Sequence, residues 1–338
     1  MKNPVINETD IAVTTRVRLA RNIKGIPYPH KMTEKAAQEL IDKVWSAFDA
    51  SPLKSELNIY SMDKTDSFKK QSLVEKHLIS SQLCASKLPA VAIISNDEKI
   101  SVMVNEEDHL RIQVFADGLD GEAAYDLAKK IESLIGESLE FDYDSDFGYL
   151  TSCPTNAGTG LRASVMLHLP AITAAHRINP LLKWAANLGM TVRGLYGEGS
   201  KASGALFQLS NQITMGAAEE DIISRFTAAA CSLISEERRV TAELFEKNPY
   251  DMKDKCLRSL GILKNAFMIS SGEATNLVSN VCMGANAGII KNINRKKLRD
   301  ALFGTMPATM SMETDGGDPR ERVVKRAQIL QMALAEGE

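Results

Sequence analysis

Residues 153–169 read Cys-Pro-Thr-Asn-Ala-Gly-Thr-Gly-Leu-Arg-Ala-Ser-Val-Met-Leu-His-Leu. The first half is a loop: Pro154 fixes one backbone angle, and Gly158 and Gly160 permit conformations closed to other residues. The second half alternates as a strand, with Leu161, Ala163, Val165, Leu167 and Leu169 on one face. Arg162, Ser164, Met166 and His168 take the other. That alternation buries the first face and turns Arg162 onto the second, beside Cys153. An arginine on a strand under a glycine-rich loop is suited to hold a phosphate and leave its reacting face clear. Taken alone, the stretch also fits an edge strand with a solvated arginine.

Upstream, residues 11–21 (Ile-Ala-Val-Thr-Thr-Arg-Val-Arg-Leu-Ala-Arg) form a second alternating run. Thr14, Arg16 and Arg18 share one face, and Val13, Thr15, Val17 and Leu19 the other. Two arginines on one strand face repel unless an anion lies between them; the alternative is an edge strand guarded by charge. Residues 33–50 read as an amphipathic helix capped by Thr33, followed by a strand near 56–62 and a helix near 66–79. His77, near that helix's end, would ordinarily be a partly buried structural histidine. Strands at 88–95 and 99–105 flank a turn at Asn96–Glu98, and the second runs into Asn105-Glu106-Glu107-Asp108-His109-Leu110-Arg111. Three consecutive acids at a strand end normally form a solvated loop.

A strand at 111–117 and a helix at 121–137 come next, and beyond the central stretch 171–189 read as helix and 190–195 as strand. Gly194, Gly197 and Gly199 then make a flexible loop around Glu198. A last strand at 207–211 and a long helix at 218–247 end at Asn248-Pro249, where the domain boundary is expected. This gives domains at 1–248 and 249–338. The second reads as helices at 251–268, 272–282, 294–303 and 319–335, with 304–318 an exposed loop.

The composition is that of a globular chain. Its 338 residues can bury a sizeable core, and a net charge of −3 offers no basic field for nucleic acid. Five scattered cysteines without a Cys-x-x-Cys pair indicate neither a zinc site nor a disulfide framework. No apolar stretch approaches membrane-spanning length, so a reducing, cytoplasmic setting is expected. A Gly-x-x-x-x-Gly-Lys-Ser/Thr phosphate loop is absent from the sequence.

The string from Cys153 to Pro170 resembles the signature of the ATP:guanidino phosphotransferases, the family of creatine and arginine kinases. Within that family its wording is closest to the bacterial protein-arginine kinases. Thr14–Arg18 resembles the family's Ser-Ser-Arg-Val-Arg segment, with Thr14 and Thr15 replacing serines, and Asn105–Arg111 matches Asn-Glu-Glu-Asp-His-Leu-Arg letter for letter. Tail strings such as Ser-Leu-Gly-Ile-Leu-Lys-Asn-Ala resemble the protein-arginine kinases, as does Met166, where creatine and arginine kinases have histidine. The resemblance implies an α+β fold with an antiparallel saddle-shaped sheet flanked by helices, of the glutamine synthetase type, and a C-terminal helical domain.

It also implies ATP and Mg²⁺ as cofactors and a phosphate cage of Arg16, Arg18, Arg111, Arg162 and Arg193. Nucleotide contacts are expected from Thr14, Thr15, Val17, His77 (beside the adenine), Ala163, Ser164, Val165 and Met166. The loop residues Gly194, Leu195, Tyr196, Gly197 and Glu198 belong with them. Because a guanidinium has a pKa above about 12 and almost no free lone pair, a carboxylate must hold it and take its proton. Glu107 is the base candidate and Glu198 a second clamp. Cys153 could bias the guanidinium as a thiolate, or be simply a small buried side chain.

Thirteen residues precede Thr14, whereas creatine and arginine kinases carry an extra helical domain there. The pocket is therefore expected to admit arginine on a protein, in a role in protein quality control. A kinase for free arginine or another small guanidino compound, or a phosphoarginine-reading adaptor, are the alternatives. A homodimer, a zinc-binding activator and a stress-response AAA+ protease are partners by resemblance, with neither membrane nor nucleic acid involved. One departure stands out. The related kinases carry Glu-Arg-Asp-x-x-Arg-Ala near the C-terminus as a phosphoarginine site, whereas residues 321–327 here are Glu-Arg-Val-Val-Lys-Arg-Ala. Arg322 and Arg326 remain, but Val323 removes the acid suited to a guanidinium.

Overall fold

The alternating runs fold as strands. The computed structural model describes residues 10–194, 203–314 and 317–335. Its strands are β1 (Ala12–Arg21), β2 (Leu57–Ser61), β3 (Val91–Ser95), β4 (Ile100–Val104), β5 (Leu110–Asp117), β6 (Tyr143–Asp144), β7 (Gly148–Tyr149), β8 (Leu161–His168), β9 (Met190–Gly194) and β10 (Leu206–Asn211). Eight form one sheet in the order β2-β3-β4-β5-β1-β8-β10-β9, while β6 and β7 make a separate hairpin. The sheet is antiparallel: Leu57 faces Ser95, Val91 faces Val104 and Met103 faces Arg111. Ala20 N donates to Gly160 O and His168 N to Ile11 O, which sets β1 against β8 in the same sense.

The chain divides into two compact units, one of Thr15–Ser164 with Ser210–Thr227 and one of Met1–Thr14, Val165–Leu209 and Ala228–Glu338. In the first, the helix Glu34–Ala47 buries Leu40, Ile41 and Val44, and Thr33 Oγ1 caps it by accepting from Ala36 N. The helix Gly121–Gly136 is capped by Asp120 and buries Ala124, Ala128, Ile131 and Ile135. In the second, helices Pro249–Asn265, Ser271–Asn286, Arg295–Gly304 and Pro319–Ala335 share a core that includes Cys256, Leu263, Val281, Cys282, Leu298 and Leu330.

Three sequence expectations change. The helix expected over 171–189 is two, Pro170–Ala174 and Ile178–Asn187, separated at His176 (φ +57°). Pro180, which lacks an N–H, fits only the first turn of the second. The helix expected over 66–79 ends at Glu75, and His77 turns the chain with φ +59°. The exposed loop expected over 304–318 instead contains a helix, Pro307–Glu313, that buries Ala308, Thr309 and Met310. Pro307 starts that helix: its fixed φ suits the first helical position, where no N–H is needed.

Candidate active site

Three adjacent strands bring distant arginines together. Arg16 and Arg18 lie on β1, Arg111 on its neighbour β5 and Arg162 on its other neighbour β8. Neighbouring strands are only about 4.8 Å apart, so residues nearly 150 positions apart in sequence share one patch. The β1–β8 hydrogen bonds set Arg18 and Arg162 close to opposite each other. All four guanidinium groups are half-buried and sense one another.

Burial, followed by the charge of Arg111, pushes the pKa of Arg16 down to about 10. Arg18 is pushed well below the ordinary arginine value by burial, then by Arg16, Arg111 and Arg162, against a smaller opposing pull from Glu106. Its Nε is buried with no hydrogen-bond partner among the described residues. Downward shifts on two arginines mean that desolvation and cation repulsion outweigh the anions nearby. Such a patch is completed by an anionic ligand with many acceptor oxygens. His77, also half-buried, is held neutral: burial and then Arg16 and Arg18 push its pKa down to about 4.

The three consecutive acids divide their work. Glu106 is buried, accepting from Ser80 Oγ (2.5 Å) and Arg111 Nη1 (2.5 Å), so it holds one arm of the patch in place. Asp108 is buried and accepts from Asn22 Nδ2 (2.7 Å) and Ser152 N (2.7 Å), while Asn22 Oδ1 accepts from His109 N (2.8 Å). That network ties the acidic turn to the backbone one residue before Cys153. Glu107 lies between them, half-buried, with no hydrogen bond or ion pair among the described residues. Its pKa is raised by burial and then by Asp108 and Glu106, and partly restored by Arg111 and Arg162. A carboxylate so placed is free to act on a ligand and is more basic than an ordinary glutamate.

The loop after Ser152 is shaped by its glycines. Gly158 has φ +99°, and a Cβ there would collide with the Thr214 carbonyl; Gly160 has φ +60°, and a Cβ would lie 2.6 Å from Ala20 O. Cys153 is half-buried, with Sγ 3.0 Å from Thr155 Oγ1. Arg162 Nη2 reaches Asn156 Oδ1 at 3.5 Å.

Other residues singled out in the sequence have different surroundings. Thr15 is buried and bridges Gly118 O (2.7 Å) and Asp120 N (3.2 Å). The side chains of Val17, Ala163 and Val165 are fully buried core, and Met166 is buried as well. Ser164 Oγ, buried, lies 3.4 Å from Arg16 O, and Thr14 is half-buried. Arg193 and Gly194 belong to the other compact unit, where Arg193 is exposed. Leu195, Tyr196, Gly197 and Glu198 lie outside the described residues. In the tail, Arg326 is buried, with Nε donating to Thr305 O (2.9 Å) and Nη1 to Ile269 O (3.2 Å), whereas Arg322 Nη1 donates to Gly317 O (3.1 Å).

Sequence reasoning did not single out Glu106, Asn22, Asp108 or Ser80 as site-forming residues. Their signal is weak, because each works through a partner far away in sequence. Arg21 was missed as well. It is fully buried, bonded to Glu132 (2.5 Å) and Glu219 (3.0 Å), and its guanidinium stacks 3.5 Å over Tyr149 beneath the glycine loop.

The strands thus gather four half-buried arginines and a carboxylate, Glu107, without a hydrogen bond or ion pair among the described residues. Residues 39–240 match the ATP:guanido phosphotransferase C-terminal catalytic domain, and residues 249–338 match the protein-arginine kinase McsB C-terminal domain. This chain belongs to the protein-arginine kinase branch of the ATP:guanido phosphotransferases. It is 44% identical over 309 residues to a protein-arginine kinase of Clostridium acetobutylicum, covering 91% of each chain. With the Clostridium novyi protein-arginine kinase it shares 43% over 328 residues, covering 96% of this chain and 95% of that one. Among solved structures, lombricine kinase superposes with a TM-score of 0.62 at 22% identity, over 70% of this chain and 68% of that one, and shares the fold.

Proposed function

We propose that this protein transfers the γ-phosphoryl group of ATP to the guanidinium of arginine side chains in proteins. The observation that carries this reading is the patch of Arg16, Arg18, Arg111 and Arg162 with Glu107, unpaired among the described residues, within the fields of Arg111 and Arg162. The transferring group spreads negative charge over its equatorial oxygens, and guanidinium donors held in place by the sheet stabilise it without reorganising. Glu107 aligns the acceptor guanidinium. As the nitrogen lone pair forms the N–P bond and the bond to the ADP oxygen breaks, the acceptor's proton passes to the Glu107 carboxylate.

In this reading Mg²⁺ would be held by the nucleotide's own oxygens. When bound there it supplies charge neutralisation between the phosphates. Arg193 completes the cage, Glu198 is the second clamp on the guanidinium, and Cys153 biases that group electrostatically. His77, neutral beside Arg16 and Arg18, offers an uncharged face to the adenine. The same proposal places the domain boundary at Asn248, the protein in the cytoplasm as a homodimer, and a zinc-binding activator and AAA+ protease among its partners. Arg322 and Arg326 mark a degenerate phosphoarginine site in it.

The test is incubation with ATP and either an unfolded protein or free arginine at matched guanidino concentration, followed by analysis of acid-labile phosphate. Faster transfer to protein arginine is expected. Equal or faster turnover of free arginine would replace the reading with a small-guanidino kinase. Phosphoarginine binding without any transfer would replace it with an adaptor.

A further inference from the structure

His77 stands where glycine is the usual residue. The helix Ser67–Glu75 closes with Leu78 N donating to Leu73 O (2.9 Å) and His77 N to Val74 O (2.9 Å), the paired ending in which the residue just past the cap turns left-handed. Glycine adopts that conformation freely, whereas a Cβ makes it unfavourable. This chain has a histidine there, at φ +59°. A side chain kept against the backbone's preference points to a use for that side chain. The ring is half-buried, and burial, then the charges of Arg16 and Arg18, hold it neutral.

The turn is pinned to the sheet through its carbonyls. Gln113, buried on β5, donates from Nε2 to both His77 O (3.1 Å) and Leu78 O (3.0 Å). Ser101 Oγ, buried on β4, also donates to Leu78 O (2.5 Å). The flanks are tied as well. Lys76 Nζ pairs with Glu98 (2.7 Å), and Ser80 Oγ donates to Glu106 (2.5 Å), the carboxylate that holds Arg111. Gln113 follows Arg111 by two residues, so strand alternation puts both on one face of β5. One row of that strand therefore carries an arginine of the patch and the residue that fixes the His77 turn.

We propose that Gln113 is a positioning residue for nucleotide binding: by holding the carbonyls of His77 and Leu78, it keeps the His77 ring beside Arg16 and Arg18, where the ring meets the nucleotide's base. The inference rests on the kinase reading above, in which His77 faces the adenine, and deepens it. Gln113 itself touches no substrate. The arginines come from the strands and hold phosphates without the turn, whereas contact with the base depends on it. The two halves of the nucleotide should therefore respond differently to a change at Gln113.

The test is calorimetric titration with a non-transferring ATP analogue and with inorganic tripolyphosphate, which offers the arginines phosphates without a base. Gln113→Met keeps most of the side chain's volume and removes the donor. It should weaken the analogue about tenfold, within what stacking one base on an aromatic ring supplies, and leave tripolyphosphate affinity within about twofold. Arg16→Met should weaken both ligands. His77→Gly removes the ring and relieves the backbone, so it should weaken the analogue selectively while the thermal midpoint stays level or rises. Ser101→Ala takes one donor from Leu78 O and should weaken the analogue about threefold, the scale of one neutral hydrogen bond, which keeps the test open if Gln113→Met does not fold. The inference is overturned if Gln113→Met weakens both ligands equally, since the glutamine then serves the fold alone, or if it weakens neither. Selective loss in His77→Gly without any in Gln113→Met or Ser101→Ala overturns the inference and leaves the adenine reading standing. If His77→Gly binds the analogue as the wild type does, that reading fails and the inference with it. A wild-type protein that binds neither ligand removes the nucleotide reading itself.

Discussion

Replacing Arg16 with methionine should make the ligand-free protein more stable and its nucleotide complex weaker. Arg16 is held down to about 10, well below the ordinary arginine value, first by burial and second by Arg111. Each pKa unit corresponds to about 1.4 kcal/mol, so carrying the charge costs on the order of 3 kcal/mol. The side chain keeps part of its contact with solvent, and screening reduces the figure to about 1–2 kcal/mol. The sign follows from linkage. At neutral pH the group is charged both folded and unfolded, so the penalty is fully present and is relieved only as pH rises through the depressed pKa. Methionine keeps most of the stem's packing and removes the charge. Thermal unfolding without ligand should therefore shift up by a few degrees.

With nucleotide the effect reverses. Losing a charge-assisted bond to phosphate costs about 1.5–3 kcal/mol, a fall in affinity of about 10- to 150-fold. Stabilisation by ligand follows RT ln(1 + [L]/Kd), so the variant's midpoint should respond little to an ATP analogue that stabilises the wild type strongly. Melting curves with and without analogue, and calorimetric titration, read both halves. A variant that is less stable without ligand yet equally stabilised by nucleotide would show that Arg16 serves the fold and that the cage reasoning is wrong.

Glu107→Gln should lower kcat by about 10²–10⁴ with nucleotide affinity unchanged, as a base that meets only the acceptor requires. Because burial and its acidic neighbours raise the Glu107 pKa, activity should fall with decreasing pH at a midpoint above the ordinary glutamate value. A pH–rate profile without that limb removes Glu107 as the base. Gly158→Ala places a Cβ against Thr214 O at φ +99°, so a loss of about 1–3 kcal/mol in chemical denaturation is expected. Arg21→Met leaves Glu132 and Glu219 with Lys129 as their remaining shared cation and the carbonyls of Ala20 and Thr159 without their donor, and should cost about 1–3 kcal/mol, read in the same experiment.

The sheet's strands were legible because period two is a local signal: β1, β4, β5 and β8 lie within a residue or two of where the alternation puts them. Their order was not, since nothing local to Ala12–Arg21 says that it pairs with both β5 and β8. Proline was read too simply. At Pro307 it begins a helix, and at Pro180 it sits within a first turn. The acids show what sequence can carry in the site. Residues 106–108 were visible as a motif, but their division of labour depends on Ser80, Arg111, Asn22 and Ser152, three of them far away in sequence. Arg326 shows the opposite failure. The motif presents it as one of two arginines remaining for a phosphoarginine, yet its side chain is buried and donates to two carbonyls. An arginine can bury in this way because its five donors let backbone oxygens replace water.

If the proposed roles of Glu107, Arg111 and Arg162 hold, the charge pattern also favours one order of substrate binding. Before nucleotide arrives, an acceptor guanidinium approaching Glu107 meets the fields of Arg111 and Arg162, which lower that carboxylate's pKa and repel the incoming cation alike. A bound triphosphate cancels that repulsion and leaves the attraction of Glu107, with the charges of Glu106 and Asp108 behind it. The acceptor should therefore bind more tightly to the nucleotide complex than to the empty protein, and by reciprocity acceptor should tighten nucleotide binding by the same factor. Coupling of this kind is typically about 5- to 150-fold, and salt should weaken it because part of it acts through solvent-exposed distance. Titration of an arginine peptide into Glu107-intact protein, with and without a non-transferring ATP analogue, measures the factor directly. Equal affinities in the two titrations would mean that the acceptor does not approach through the field of Arg111 and Arg162, and Glu107 would lose its place as the group that receives it.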